Sequence, residues 1–237
     1  MGSLVRKAKK IHRHHGILDL VVRGTRYFIS QGICAFFGLP SRKIGVYNGV
    51  AVRKDVLLRP KDVHQRYEKA LIRQIRETLQ PGERVVVVGG GNGVSTTVAA
   101  QKVGESGEVT TYEGSRTRSN IAQETCELNK VAERVEVKHA IVSHERRLFS
   151  EAEDAAVVDP EDLPTCDVLI MDCEGAELDI LRNLSLRPRA IIVETHGFLN
   201  SPEREIREIL TESGYSVVDR GKEDEEKGVF VLTALDE

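Results

Sequence analysis

The sequence predicts an α/β fold: a Rossmann-like seven-stranded sheet, mostly parallel, with an antiparallel last strand, preceded by a basic helical and hairpin extension. Three observations carry this. From residue 65 onward, short continuous apolar runs alternate with helical patterns, as in sheets covered on both faces. A valine strand runs straight into a glycine-rich turn. The last two strands are joined by a loop too short for a helical crossover, so that pair must be antiparallel. The expected division is an extension over residues 1–64 and a main domain over 65–237.

The elements follow in order. Residues 1–40 mix basic clusters (Arg6, Lys7, Lys9, Lys10) with Ile17, Leu20, Val21, Phe28 and Ile29 at helical spacing, which suggests one or two amphipathic helices. Lys43–Leu58, with Asn48-Gly49 in its middle, reads as a hairpin. Leu71, Ile75 and Leu79 give a helix over 65–79 that Pro81-Gly82 ends. Strands are expected at Arg84–Val88, Val109–Glu113, Arg134–Lys138, Asp167–Asp172 and Ala190–Glu194. Helices lie between them, through Ala99-Ala100, Ile121–Leu128 and Ile180-Leu181. Ser201-Pro202 opens a further helix that Gly214 closes. Tyr215–Asp219 and Gly228–Leu235 are the last strands, with the acidic stretch Glu223–Glu226 between them. Phe149–Thr165 is acidic and aperiodic, and reads as a loop or short helix at the rim of the site.

The 237 residues allow one domain with a substantial core plus an appendage. The formal net charge of −3 conceals a division. Residues 1–66 hold 14 basic and 3 acidic side chains, and the remainder holds 20 basic and 34 acidic. Such asymmetry suggests an arm with its own partner. No run of about 18 uncharged apolar residues occurs, so no membrane-spanning helix is expected. The basic start lacks the apolar stretch and cleavage site of a secretory leader. Cys34, Cys126, Cys166 and Cys173 form no C-x-x-C pair and are expected as reduced thiols in a cytoplasmic protein.

The strongest local signal is Val85–Val88 followed by Gly89, Gly90, Gly91, Asn92 and Gly93 and then a helix start. A Walker A loop needs a lysine that is missing here. The dinucleotide pattern would place its third glycine at Val94, and fails. The spacing Gly89-x-Gly91-x-Gly93 is that of S-adenosylmethionine (SAM) pockets. Glu113, 20 residues past Gly93, ends the second strand, where a carboxylate can accept both hydroxyls of a ribose. Gly114 and Ser115 follow it on the same turn. After the third strand, Ala140 and Ile141 are candidate apolar walls for adenine.

Asp172-Cys173-Glu174-Gly175-Ala176-Glu177 resembles the D-x-E-G-A-E signature of the FkbM family of class I SAM-dependent methyltransferases, and Glu194-Thr195-His196 is similar to that family's strand-five ending. The resemblance covers about residues 65–237. It implies SAM as cofactor and methyl transfer, with O-methylation of a sugar, glycan or small-metabolite hydroxyl as the expected reaction. Val87 stands where many class I enzymes carry an acid, which leaves open how the methionine end is held. Asp172, Glu174, Glu194 and His196 sit at or just past strand ends and are the candidate catalytic residues; Asp172 also belongs to the cofactor set. Asp172 or His196 is the expected base. Glu177 and Asp179 read as first-turn acids that complement a helix dipole, and Cys173 as a packed residue.

Alternatives stand beside this reading. The site is expected to work without a metal; the alternative is a divalent ion on Asp172, Glu194 and His196. A nicotinamide oxidoreductase is disfavoured by Val94 and by the lack of a Tyr-x-x-x-Lys pair. A non-catalytic SAM-binding module tethered by the arm is the third. For residues 1–40 the uses weighed are peripheral contact with an anionic membrane, packing over the acidic body or a homodimer contact; nucleic acid is disfavoured because no RNA module is recognisable.

Overall fold

The computed structural model describes residues 36, 42–55, 62–144, 154–199 and 201–237. The helices expected over residues 1–40 lie outside the described residues, Phe36 apart. The chain divides into two compact units, residues 1–45 with 53–63 and residues 46–52 with 64–237. In the first, Lys43 pairs with Asp62. Strands β1 (Arg42–Tyr47) and β2 (Val50–Asp55) flank Asn48 and Gly49, whose φ values of 48° and 91° make the primed turn the sequence signals. With β3 (Val63–His64) they form a sheet of order β2-β1-β3.

Helix α1 spans Lys69–Thr78 and starts later than the periodicity suggests. Glu68 takes a left-handed conformation, φ 45°, which no helix can continue. The Glu223 carboxylate accepts from the backbone N–H of Lys69 at 2.9 Å and of Ala70 at 2.7 Å, which pins the first turn. The acidic stretch before the last strand therefore supplies a helix cap from 153 residues away.

The second unit then alternates. It runs β4 (Arg84–Val88), α2 (Val94–Val103), β5 (Glu108–Tyr112), α3 (Arg116–Leu128), β6 (Val135–Lys138), β7 (Ala140–Val142) and β8 (Ala156–Val158). It continues with β9 (Val168–Met171), α4 (Glu177–Arg182), β10 (Ala190–Glu194), α5 (Glu203–Glu212), β11 (Tyr215–Asp224) and β12 (Val229–Asp236). The main sheet has seven strands in the order β11-β12-β10-β9-β4-β5-β6. Strands β10, β9, β4, β5 and β6 pair in parallel, and β12 pairs antiparallel with both β10 and β11. This is the expected fold.

The sheet is covered on both faces. Val85, Val87, Val168, Ile170 and Ile192 pack with α1 and α2, while Val86, Val88, Leu169, Met171, Ile191 and Val193 pack with α4 and α5. Successive strand residues point to opposite faces, so a strand buried on both must be apolar throughout. Each fully buried Ile or Val contributes about 1.5–3 kcal/mol of transfer free energy. Among the described residues no helix is long and apolar enough to cross a membrane.

Three expectations change. Residues 149–165 supply, among their described part, the short helix expected, a 3-10 turn at Pro160–Asp162, but also strand β8, which pairs in parallel with β7, Ala140 against Ala156. Pro202, not Ser201, occupies the α5 cap position, and Ser201 is instead buried in a bridge with His196. The first strand of the last hairpin runs on past Asp219 to Asp224, into the acidic stretch, with bulges between Val217 and Asp219 and between Lys222 and Asp224, while the second keeps its expected length one residue further on.

Candidate active site

Register places the site. Val88 lies opposite Tyr112 on one side and Met171 on the other, and Met171 lies opposite Val193. The carboxyl ends of β4, β5, β9 and β10 are therefore level. Gly89, Glu113, Asp172 and Glu194 come to one edge, at the point where the strand order reverses between β4 and β9.

The glycine loop is built for close approach. A Cβ on Gly89, φ 89°, would stand 1.8 Å from the carbonyl oxygen of Asp172, so the loops after β4 and β9 touch backbone to backbone. At Gly91, φ 53°, nothing lies within 4 Å of an added Cβ. Asn92 is half-buried in the same loop, and Gly90 and Gly93 pack against Thr111 and Ala122. Buried Glu113 accepts from Gly91 N–H at 2.8 Å through Oε2 and from Ser115 N–H at 2.7 Å through Oε1. One carboxylate thus ties the loop after β4 to the turn after β5. Ser115 also caps α3, accepting from Arg118 N–H. A Cβ on Gly114 would meet Ile141 at 2.8 Å, which brings that turn against β7 with buried Ala140 and half-buried Ile141.

At the ends of β9 and β10 three candidate catalytic side chains converge. His196 Nε2 lies 3.5 Å from Asp172 Oδ1 and 3.6 Å from Glu194 Oε1. Its Nδ1 is 2.8 Å from Oε1 of Glu177, a fully buried acid. Glu177 is held in turn by the N–H groups of Cys173 at 3.2 Å and Gly175 at 2.9 Å. The His196 loop is pinned by reciprocal backbone bonds with Ser201, 2.8 and 3.1 Å. Glu174 is not brought in: it is exposed, φ 51°, and faces Arg118 at 3.6 Å.

Titration follows from these distances. Burial opposes charge on Glu177, but the hydrogen bond and charge of His196 hold it below the usual carboxylate range. Burial lowers His196, and Glu177 with Asp172 more than reverses that, so it sits above its ordinary value. Burial raises Asp172, with His196 opposing and Glu177 adding. Burial, then Asp172 and Glu68, raises Glu194. Glu68, just before α1, is itself pushed up to about 8 by burial and then by Asp172.

Two residues at this edge are not assigned to it by the sequence reading. Glu177 reads as a dipole acid, yet it orients the histidine; its fixed place in the D-x-E-G-A-E run was the available signal. Glu68 comes from a segment more than 100 residues earlier in the chain and carries no local signal.

The sheet order, the open glycine cradle and the acid after β5 define the class: a SAM-dependent methyltransferase of Rossmann-like fold. Residues 50–217 match the family model described as the methyltransferase FkbM domain. The chain belongs to the FkbM methyltransferase family, and its cofactor is SAM. The fold is similar to the ribosomal protein L11 methylase of Lactobacillus delbrueckii subsp. bulgaricus, at 14% identity and TM-score 0.53, over 73% of this chain and 80% of that one. It is also similar to Trm5b of Pyrococcus abyssi, at 17% identity and TM-score 0.52, over 82% and 56%. A SAM-dependent O-methyltransferase of Thermotoga maritima aligns at 20% identity and TM-score 0.49, over 72% of this chain and 65% of that one, so this chain spans less than two thirds of its length. At these identities the likeness is one of fold. No curated protein matches at a significant level.

Proposed function

We propose that this methyltransferase acts on a hydroxyl oxygen of a sugar, glycan or other small metabolite. Bound SAM supplies a methyl group on a sulfonium, which needs no further activation. The residues at the edge do the rest. Gly89 and Gly91 let the cofactor approach the backbone, and Gly90, Asn92 and Gly93 complete the cradle. Glu113, fixed by two amides, retains lone pairs for a ribose diol. Gly114 and Ser115 shape that turn, and Ala140 and Ile141 give an adenine its apolar walls.

One observation carries the acceptor reading: the His196–Glu177 hydrogen bond, 2.8 Å, inside a buried cluster at the strand ends. With Nδ1–H donated to Glu177, the lone pair of a neutral imidazole stands on Nε2, beside Asp172. Nε2, with Asp172 as the other candidate, takes the hydroxyl proton as the oxygen attacks. Burial of the cluster keeps bulk water from competing for the methyl group. The cysteines Cys126, Cys166 and Cys173 are free, which suits a reducing compartment and supports a cytoplasmic location. The test is incubation of the chain and labelled SAM with separate fractions of glycans, small metabolites, protein and RNA. Label on a hydroxyl-bearing acceptor is expected; label only on protein or RNA fractions overturns the reading.

A further inference from the structure

We propose that Asp172, Glu194 and His196 form a binding site for one divalent cation of the Mn²⁺ or Mg²⁺ kind. Each offers one ligand atom, and these atoms all lie within 4.8 Å of one another. The strands deliver them as a set. Asp172 follows β9, Glu194 ends β10, and the Met171–Val193 register puts the two acids side by side.

The spacings argue for an ion between the groups. Nε2 stands 3.5 Å from Asp172 Oδ1 and 3.6 Å from Glu194 Oε1, longer than the roughly 2.7–2.9 Å of a charge-assisted hydrogen bond. Ligands about 2.0–2.2 Å from a shared ion stand roughly 3.0–3.6 Å apart, as His196 Nε2 does from each acid. A second observation is independent of the spacing. Glu194 is 7% exposed, and its Oε2 has no hydrogen-bond partner. A buried carboxylate oxygen left so is costly unless something absent from the protein chain satisfies it.

The surroundings of His196 fit a ligand role. Its Nδ1 is engaged by buried Glu177 at 2.8 Å, and Glu177 is itself fixed by two backbone amides. A carboxylate on the far ring nitrogen sets the tautomer and orientation that metal-bound imidazoles use. Two carboxylates and one imidazole suit Mn²⁺ and Mg²⁺ better than soft ions, and three protein ligands leave positions open. What the ion does rests on the hydroxyl-methylation reading: it would hold the acceptor oxygen and lower its pKa, so that the proton leaves to solvent as the acceptor enters and before it displaces the water there, with His196 then a ligand in place of a base.

The experiment uses the whole chain, stripped with a chelator and titrated with MnCl₂, with free Mn²⁺ read by electron paramagnetic resonance. One equivalent should bind. Glu194→Gln and His196→Ala should each weaken binding at least about 10-fold, and Glu177→Gln, which touches no ion, by about 10- to 100-fold. Thermal unfolding in metal-free buffer reports whether each variant folds; Glu194→Gln should melt no lower than the parent, since it keeps the shape of the side chain and Oε2 has no hydrogen bond to lose. Mn²⁺ should raise the melting temperature of the parent and not of Glu194→Gln. A parent chain that takes up no Mn²⁺ at about 1 mM overturns the site, as do folded variants that bind like the parent. Parallel assays with labelled SAM separate the two readings. Full turnover in chelator removes the ion's part in the reaction and leaves the methyl acceptor. Mn²⁺ bound by these residues, with no hydroxyl methylated, leaves the ion and removes the acceptor.

Discussion

Replacing Glu113 by Gln tests the cofactor cradle at its hinge. The carboxylate accepts two backbone N–H groups, Gly91 at 2.8 Å and Ser115 at 2.7 Å, and is 6% exposed. Hydrogen bonds to an ionised group are worth about 1.5–3 kcal/mol each, and a buried donor left unpaired loses that in full. Gln keeps one acceptor oxygen and turns an NH₂ toward the other amide. One bond is lost, so stability should fall by about 1.5–3 kcal/mol. In a domain of this size each kcal/mol moves Tm by about 2–4 °C, which predicts a fall of roughly 3–12 °C. The same loss applied to the ribose diol weakens cofactor binding by about 10- to 150-fold. Scanning calorimetry gives the first quantity. Isothermal titration with the demethylated product, S-adenosylhomocysteine, gives the second. A Glu113→Gln variant with parental Tm and parental affinity would show that neither the loop tie nor the ribose assignment is right.

Further outcomes follow from the same geometry. Gly89→Ala puts a Cβ 1.8 Å from a backbone oxygen, so the chain should fail to accumulate in soluble form. Gly91→Ala meets nothing within 4 Å and should fold with a left-handed penalty of about 1–2 kcal/mol, but bind S-adenosylhomocysteine at least about 10-fold less tightly by titration calorimetry. Glu177→Gln removes the carboxylate charge that orients and polarises the His196 ring and should lower kcat by at least about 100-fold while leaving product affinity within about threefold, a split that a purely structural defect would not give. Glu223→Ala removes the acceptor for Lys69 and Ala70 and should cost about 1–2 kcal/mol by urea denaturation, with cofactor affinity unchanged.

Where the reading of the sequence succeeds, the signal is local and periodic. The apolar runs from Val85 to Val193 announce buried strands because a strand covered on both faces has no polar position to spare. The Asn48-Gly49 turn and the glycine loop are legible because those residues take backbone shapes others avoid. Where it falls short, the cause is a distant partner. The α1 start depends on Glu223, far along the chain, so helical periodicity alone extends it too early. Strand β8 is short and acquires its identity only by pairing with β7. Ser201 has the chemistry of a cap, but its backbone is taken by His196.

Order along the chain, by itself, determined the alternation of strands and helices, the cradle and the acid after β5, because each is a property of a few consecutive residues. It also named Asp172, Glu194 and His196 as separate candidates. Folding alone makes Glu177 hold the histidine, turns Glu174 outward, and brings ligand atoms of two acids and an imidazole within 4.8 Å of one another. Those facts are distances between residues on different elements, set by strand register and by which backbone amides each carboxylate meets, and no stretch of sequence encodes them locally.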